Sequence, residues 1–312
     1  MKKEDRGYLQ MTKQIELFSA AIAHKQKALD ALQKFAFRKA KTHLEIALEI
    51  DPYLADLTTL LQATKFLLNR KVHAKTEPPG LLRAWQKVEK AGAALPRAVH
   101  AIVEPLICER MVQCLPPDYT DFVDPKEKTL HIGYCYLELN RFEQAHEKLL
   151  DYLTAHPEES HPRLWGYFGD AAYKLNRREE CNSGYLRALF MDAQSVDLER
   201  LRHPALHRIY RNLQRRRLKE TARALMPIYC WLAKVLHIPK GNTLLARVIQ
   251  KQRFDHSARL LLYPDERYHQ FALCLYIDQS GMHGDIDFDA RTEMQRLDAR
   301  LFRRYLEVVG SS

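Results

Sequence analysis

Glycine is scarce in this chain, with 11 in 312 residues. Folds that build tight turns and phosphate loops from bare backbone need more of it, so the scarcity favours helix. There is no Cys-x-x-Cys pair. The six cysteines (Cys108, Cys114, Cys135, Cys181, Cys230, Cys274) are scattered, which argues against a zinc ribbon and for reduced, buried thiols. No apolar run approaches the roughly 18 residues that cross a bilayer. The opening MKKEDRGYLQM has charges with no apolar core behind them, and no Asn-x-Ser/Thr acceptor is present. The expectation is a cytoplasmic chain that makes no use of a membrane.

The common catalytic signatures are missing too. There is no Gly-x4-Gly-Lys, no Gly-x-Gly-x-x-Gly and no Gly-x-Ser-x-Gly. His146-Glu147 begins like a zinc-protease helix, but Leu150 stands where the second histidine belongs. His100, Cys108 and Cys114 are not brought together by helical spacing. Asp285, Asp287, Asp289 and Glu293 fall at positions of a calcium loop. Ala290 replaces its glycine, however, and Arg296 its bidentate glutamate. An acidic loop with Asp289 capping the final helix is the simpler reading. The expectation is no enzyme, no catalytic or metal-binding residue and no cofactor.

What the chain does have is helical periodicity, used repeatedly. In HIGYCYLELNRFEQAHEKLLDYL, residues 131–153, Ile132, Tyr136 and Leu139 make one helical face. Asn140-Arg141 interrupts it, and Phe142, Ala145, Leu149, Tyr152 and Leu153 make a second. The pattern recurs 36 residues on, with Trp165, Phe168, Ala172 and Leu175, then Asn176-Arg177, then Cys181, Tyr185, Ala188 and Leu189. At that offset Gly133, Leu139, Asn140, Arg141, Glu143, Leu150 and Leu153 are identical to their counterparts. A third stripe, Phe37, Ala40, Leu44, Ala47 and Leu48, closes at Asp51-Pro52, as the first copy closes at His156-Pro157.

These residues resemble the tetratricopeptide repeat (TPR) family, whose pattern is Trp-x2-Leu-Gly-x2-Tyr, Ala-x3-Phe-x2-Ala and Pro. Ile132, Gly133, Tyr136, Ala145, Leu149 and Pro157 fit the first copy. Trp165, Phe168, Gly169, Tyr185 and Ala188 fit the second, which has Cys181 for the first alanine and Ala193 for the proline. The likeness spans about 124–194 and, in part, 20–53. It implies an all-α solenoid of helical hairpins. On that plan 1–70 holds N-terminal helices with one degenerate repeat, 71–123 a divergent helical connector, 124–200 two repeats, and 201–312 a C-terminal helical region. Family members bind partner proteins or peptides in a concave groove lined by first helices. Here the groove candidates are Tyr134, Leu137, Glu138, Asp170, Tyr173 and Lys174. Leu29, Tyr134 and Asp170 stand where carboxylate-clamping members carry asparagine, which disfavours that mode.

Residues 200–223, RLRHPALHRIYRNLQRRRLKETAR, carry eight net positive charges of the chain's ten. On one helix Arg208, Arg211, Arg215 and Lys219 would share a face. Such a face is solvated, or docks an acidic partner, or contacts nucleic acid. Further on, ARLLLY (258–263), Pro264-Asp265 and YHQFALCLYI (268–277) make either a small β-hairpin or two more helices. Residues 291–309 read as one amphipathic helix with Met294, Leu297, Leu301, Tyr305 and Val308 as its stripe. The expected function is a TPR-like adaptor or chaperone-like scaffold for a protein or peptide. The alternative is a regulatory protein that contacts nucleic acid or an acidic partner through 200–223.

Overall fold

The computed structural model describes residues 4–91, 94–156, 161–241, 243–259, 266–281 and 287–310, with side chains of 4–17 and 254–259 left aside. The described residues form fifteen α-helices and no strand; one isolated antiparallel bridge joins Phe122 and His131. The chain divides into two compact units, Met1–Arg141 and Phe142–Ser312.

In the first unit α1 (Glu4–Gln33) packs on α2 (Phe37–Ile50), and α2 on α3 (Leu57–Asn69). Helices α3 and α4 (Pro78–Ala91) both pack on α5 (Arg97–Cys114), which also holds α6 (Ile132–Glu138). Phe37, Ala40, Leu44 and Ala47 are the buried stripe of α2, as their spacing requires. Between α4, α5 and α6 lies a buried polar centre. Glu104 accepts from Trp85 Nε1 at 3.2 Å and from the Tyr134 hydroxyl at 2.6 Å.

The second unit runs α7 (Phe142–Ala155), α8 (Pro162–Lys174), α9 (Arg178–Asp192), α10 (Pro204–Gln214), α11 (Lys219–Leu232), α12 (Leu244–Arg259), α13 (Arg267–Ser280), α14 (Phe288–Leu297) and α15 (Ala299–Gly310). Helix α8 lies against α7 and α9, while α13 is the hub, contacted by α9, α11, α12 and α14. Tyr268 and Gln270 through Asp278 are all buried, so α13 is covered on every side.

That burial corrects the β-hairpin reading: 268–277 is helical, 258 and 259 end α12, and 260–265 lie outside the described residues. A helix buried all round is apolar all round and shows no 3.6-residue period. The single helix read over 291–309 is likewise two. Asp298 is extended and accepts from the N–H groups of Arg300 (3.0 Å) and Leu301 (2.9 Å), breaking α14 from α15. The cap of α14 is Asp287, which accepts from Ala290 N at 2.8 Å; Asp289 sits within the first turn and is exposed.

Five helices among the described residues end alike. Phe35, Lys71, Asn140, Asn176 and Lys234 all take a left-handed backbone with φ of 54–58°. Each N–H bonds three residues back, and the next N–H bonds five residues back, as in Asn140→Leu137, Arg141→Tyr136, Asn176→Tyr173 and Arg177→Ala172. This is the Schellman stop, which satisfies the last carbonyls of a helix. Phe35 to Lys71 and Asn140 to Asn176 are both steps of 36 residues.

Candidate functional site

The structure places the groove candidates unevenly. Tyr134, Leu137 and Asp170 are buried, each at most 2% exposed. Tyr134 spends its hydroxyl on Glu104, while Asp170 accepts from the Tyr185 hydroxyl at 2.5 Å and the Arg202 N–H at 2.7 Å. These three serve the interior, which corrects their assignment to an open lining. The spacing argument assumed that α6 keeps one face in solvent, yet Ile132 to Leu137 are all buried. Glu138 and Tyr173 are partly exposed and Lys174 is exposed. Tyr173 packs its ring 4.5 Å from that of His203, and Lys174 Nζ lies 6.0 Å from the Tyr173 ring centre.

The basic segment is not one helix. Helix α10 ends with Arg215 as its helical cap, bonded to the Arg211 carbonyl, and α11 starts at Lys219, so Lys219 does not continue the Arg208–Arg211–Arg215 face. Four of the nine cations are engaged locally. Lys219 pairs with Glu199 at 2.9 Å, Arg200 with Asp197 at 3.4 Å, and Arg223 donates to the carbonyls of Gln194 and Val196. Arg202 sets its guanidinium 5.8 Å from the centre of the Phe142 ring, while its backbone N–H is held by Asp170. Arg208, Arg211, Arg215, Arg216 and Arg217 are exposed and make no ion pair among the described residues.

Two clefts open along α9. The first, of about 590 Å³, lies where α9 faces the segment from His237 to Leu245 and the buried Tyr276 of α13. The second, of about 410 Å³, is lined by Tyr173, Arg177, Cys181, His203 and Leu236 among others. Arg178, Asn182 and His237 belong to both. Asn182 closes the bridge between them: its amide donates to the His237 carbonyl at 2.8 Å and accepts from the His237 N–H at 2.9 Å. The lining cations Arg177, Arg178 and Arg187 outnumber the one lining carboxylate, exposed Glu179. Sequence reasoning missed this site because its parts lie on α8, α9, α13 and the loop after α11. Its local trace is the α9 face of Arg178, Asn182 and Leu186 at four-residue steps, with Glu179, Ser183 and Arg187 in the row beside them.

The titratable groups here are tuned by burial. Burial holds His203 below the ordinary imidazole value and pushes the Cys181 thiol up to about 12. His146, behind the second copy's turn, is also held low by burial, although Glu180 Oε2 lies 3.0 Å from its Nε2. A thiol so hard to ionise is a poor nucleophile.

In the first unit Glu89, His100 and Glu104 bring one ligand atom each within 4.8 Å of the others. Two of the three meet directly: His100 Nδ1 stands 3.2 Å from Glu104 Oε2, and Glu104 Oε1 is taken by Trp85 and Tyr134. Cys108 lies beside Cys135, and Cys114 Sγ points at the Thr76 carbonyl at 3.5 Å, so His100, Cys108 and Cys114 do not converge. In the calcium-like loop, Asp287 caps α14 and faces Arg253 at 3.8 Å, while Asp285 lies outside the described residues.

No helix among the described residues is long and apolar enough to cross a membrane. The chain matches no protein-family model, no curated protein and no solved structure.

Proposed function

We propose that the chain is a non-enzymatic, TPR-like adaptor or chaperone-like scaffold that holds an acidic segment of a partner protein or peptide. Paired Schellman stops at a 36-residue step, Asn140 with Asn176 and Phe35 with Lys71, support the repeat reading. The observation that carries the function is the cation excess along α9, where Arg177, Arg178 and Arg187 line clefts that hold a single exposed carboxylate. An acidic segment suits such a surface, because complementary charge steers association and fixes register. The contact set on this reading is Tyr173, Lys174, Arg177 and Arg178. The unpaired thiols fit a reducing compartment, the cytoplasm.

The test is affinity capture with identification of the bound protein, using Lys174→Glu with Arg178→Glu. Both side chains are exposed, so the variant keeps the fold while reversing the charge. Tyr134→Ala is unsuitable, since it strips a partner from buried Glu104.

A second reading rests on a different observation, the five exposed arginines between 208 and 217 that lack ion pairs among the described residues. Through 200–223 the chain would contact nucleic acid or an acidic partner. Nucleic-acid binding by this route falls steeply with salt. A filter-binding titration that finds no complex at low salt ends it.

A further inference from the structure

Arg187 leaves α9 into the first cleft with its guanidinium 4.2 Å from the centre of the Trp165 ring. It is half-buried and makes no ion pair among the described residues. Arginine stays protonated in proteins, and a charge withdrawn from water needs a partner. The indole face answers the charge on one side of the guanidinium and none of its N–H donors. Burial weighs on this cation, and Tyr276 lies near enough to act on it.

Tyr276 supplies an independent observation. It lines the same cleft, is 0% exposed, and its hydroxyl proton has no acceptor among the described residues. Thr243 stands beside it, with Oγ1 accepting from the Ala246 N–H at 3.1 Å; the Thr243 O–H acts on the tyrosine oxygen as a donor, which leaves the tyrosine's own proton without an acceptor. A buried hydroxyl proton left unbonded is costly, so its persistence at a cleft wall points to an absent acceptor. Leu186, Pro239, Leu244 and Leu245 give the cleft an apolar wall, and Arg178, Glu179, Asn182, Ser183 and His237 complete its lining. The volume, about 590 Å³, is that of a small-molecule site.

We propose that this cleft binds a carboxylate borne on an apolar body, with Arg187 and Tyr276 donating to the two oxygens and the leucines and Pro239 holding the body. One guanidinium fork and one hydroxyl match a planar two-oxygen anion. Arg178 and Arg187 share the lining with the carboxylate of Glu179, a balance that suits a single negative charge and disfavours a polyanion such as phosphate. The inference goes beyond the adaptor reading, because a free acid can occupy the cleft with no partner present.

The test is isothermal titration of the full chain with decanoate and with a short acetylated peptide ending in leucine. Each is compared with its primary amide, against wild type, Arg187→Gln and Tyr276→Phe. At least one carboxylate binds wild type, its amide binds at least tenfold more weakly, and each variant weakens the carboxylate by roughly tenfold. Decanoate binding more tightly names a free acid as the source; the peptide binding more tightly names a chain terminus. If neither acid binds at millimolar concentration, or acid and amide bind alike, the proposal is overturned. Tyr276→Phe removes one oxygen from a buried ring, so it decides the matter should Arg187→Gln fail to fold. Unchanged carboxylate affinity in a folded Tyr276→Phe overturns the hydroxyl's role and with it the site.

Discussion

A Cβ built on Gly184 would stand 2.9 Å from the backbone nitrogen of Gly169 and 3.0 Å from its Cα, so α8 and α9 meet backbone to backbone at these two glycines. Neither neighbour can yield as a side-chain tip would. A Cβ on Gly169 meets the Tyr185 ring at 2.9–3.1 Å, and that ring is tethered through its hydroxyl to Asp170. Gly184→Ala therefore loses about 1–3 kcal/mol by overpacking, despite alanine's better helix propensity. Gly310→Ala, which meets nothing within 4 Å, is the control and leaves stability unchanged or slightly higher. Urea denaturation of both variants checks the contrast.

The helix caps separate two neighbouring aspartates. Asp287→Ala removes the acceptor for the Ala290 N–H and the carboxylate facing buried Arg253, so it costs about 1–2 kcal/mol. Asp289→Ala, at an exposed site within the first turn, costs only a few tenths. Thermal melts that rank the two the other way round would return the cap to Asp289.

Stability should fall on the acid side. His146 and His203 are both held below the ordinary imidazole value by burial, so the native chain binds fewer protons than the unfolded one. Their contribution is complete above about pH 6.5 and is lost as pH falls through that value toward the lowered native ones. Urea midpoints measured between about pH 7.5 and pH 5 should decline, and His146→Gln should flatten the decline. An identical slope in that variant contradicts the assignment.

Thiol reactivity follows burial. Cys108, Cys135, Cys181, Cys230 and Cys274 are buried, and Cys114 is intermediate. The Cys108 thiol is pushed up by its hydrogen bond with the Cys135 thiol and by burial; burial alone raises Cys230 and leads in raising Cys274 to about 12. Alkylation of the native chain with iodoacetamide, followed by mass spectrometry, should mark Cys114 first, and all six only after denaturation.

Much of the helical fold was legible in the sequence. The stripe from Phe37 to Ala47 and the Asn140-Arg141 and Asn176-Arg177 turns were readable, because a helix with one wet face advertises its period. Helix α13 was not, because Tyr268 and Gln270 to Ile277 are buried and the pattern averages out. The break at Asp298 was hidden inside an unbroken stripe, since Leu301 and Tyr305 continue the spacing of Met294 and Leu297 across it. Of the groove candidates, Tyr134 and Asp170 had the right residue types for a binding face. Their partners, Glu104 and Tyr185, are what turned them inward. Arg187, Trp165 and Tyr276 lie on three helices, and no local spacing announces such a meeting.

The most direct test of the adaptor reading is nuclease-treated affinity capture with wild type and with the Lys174→Glu, Arg178→Glu variant, the bound protein being identified by mass spectrometry. The account predicts a defined protein partner that survives nuclease and is lost from the folded variant. A partner that the folded variant still holds, or a capture that nuclease abolishes, contradicts it.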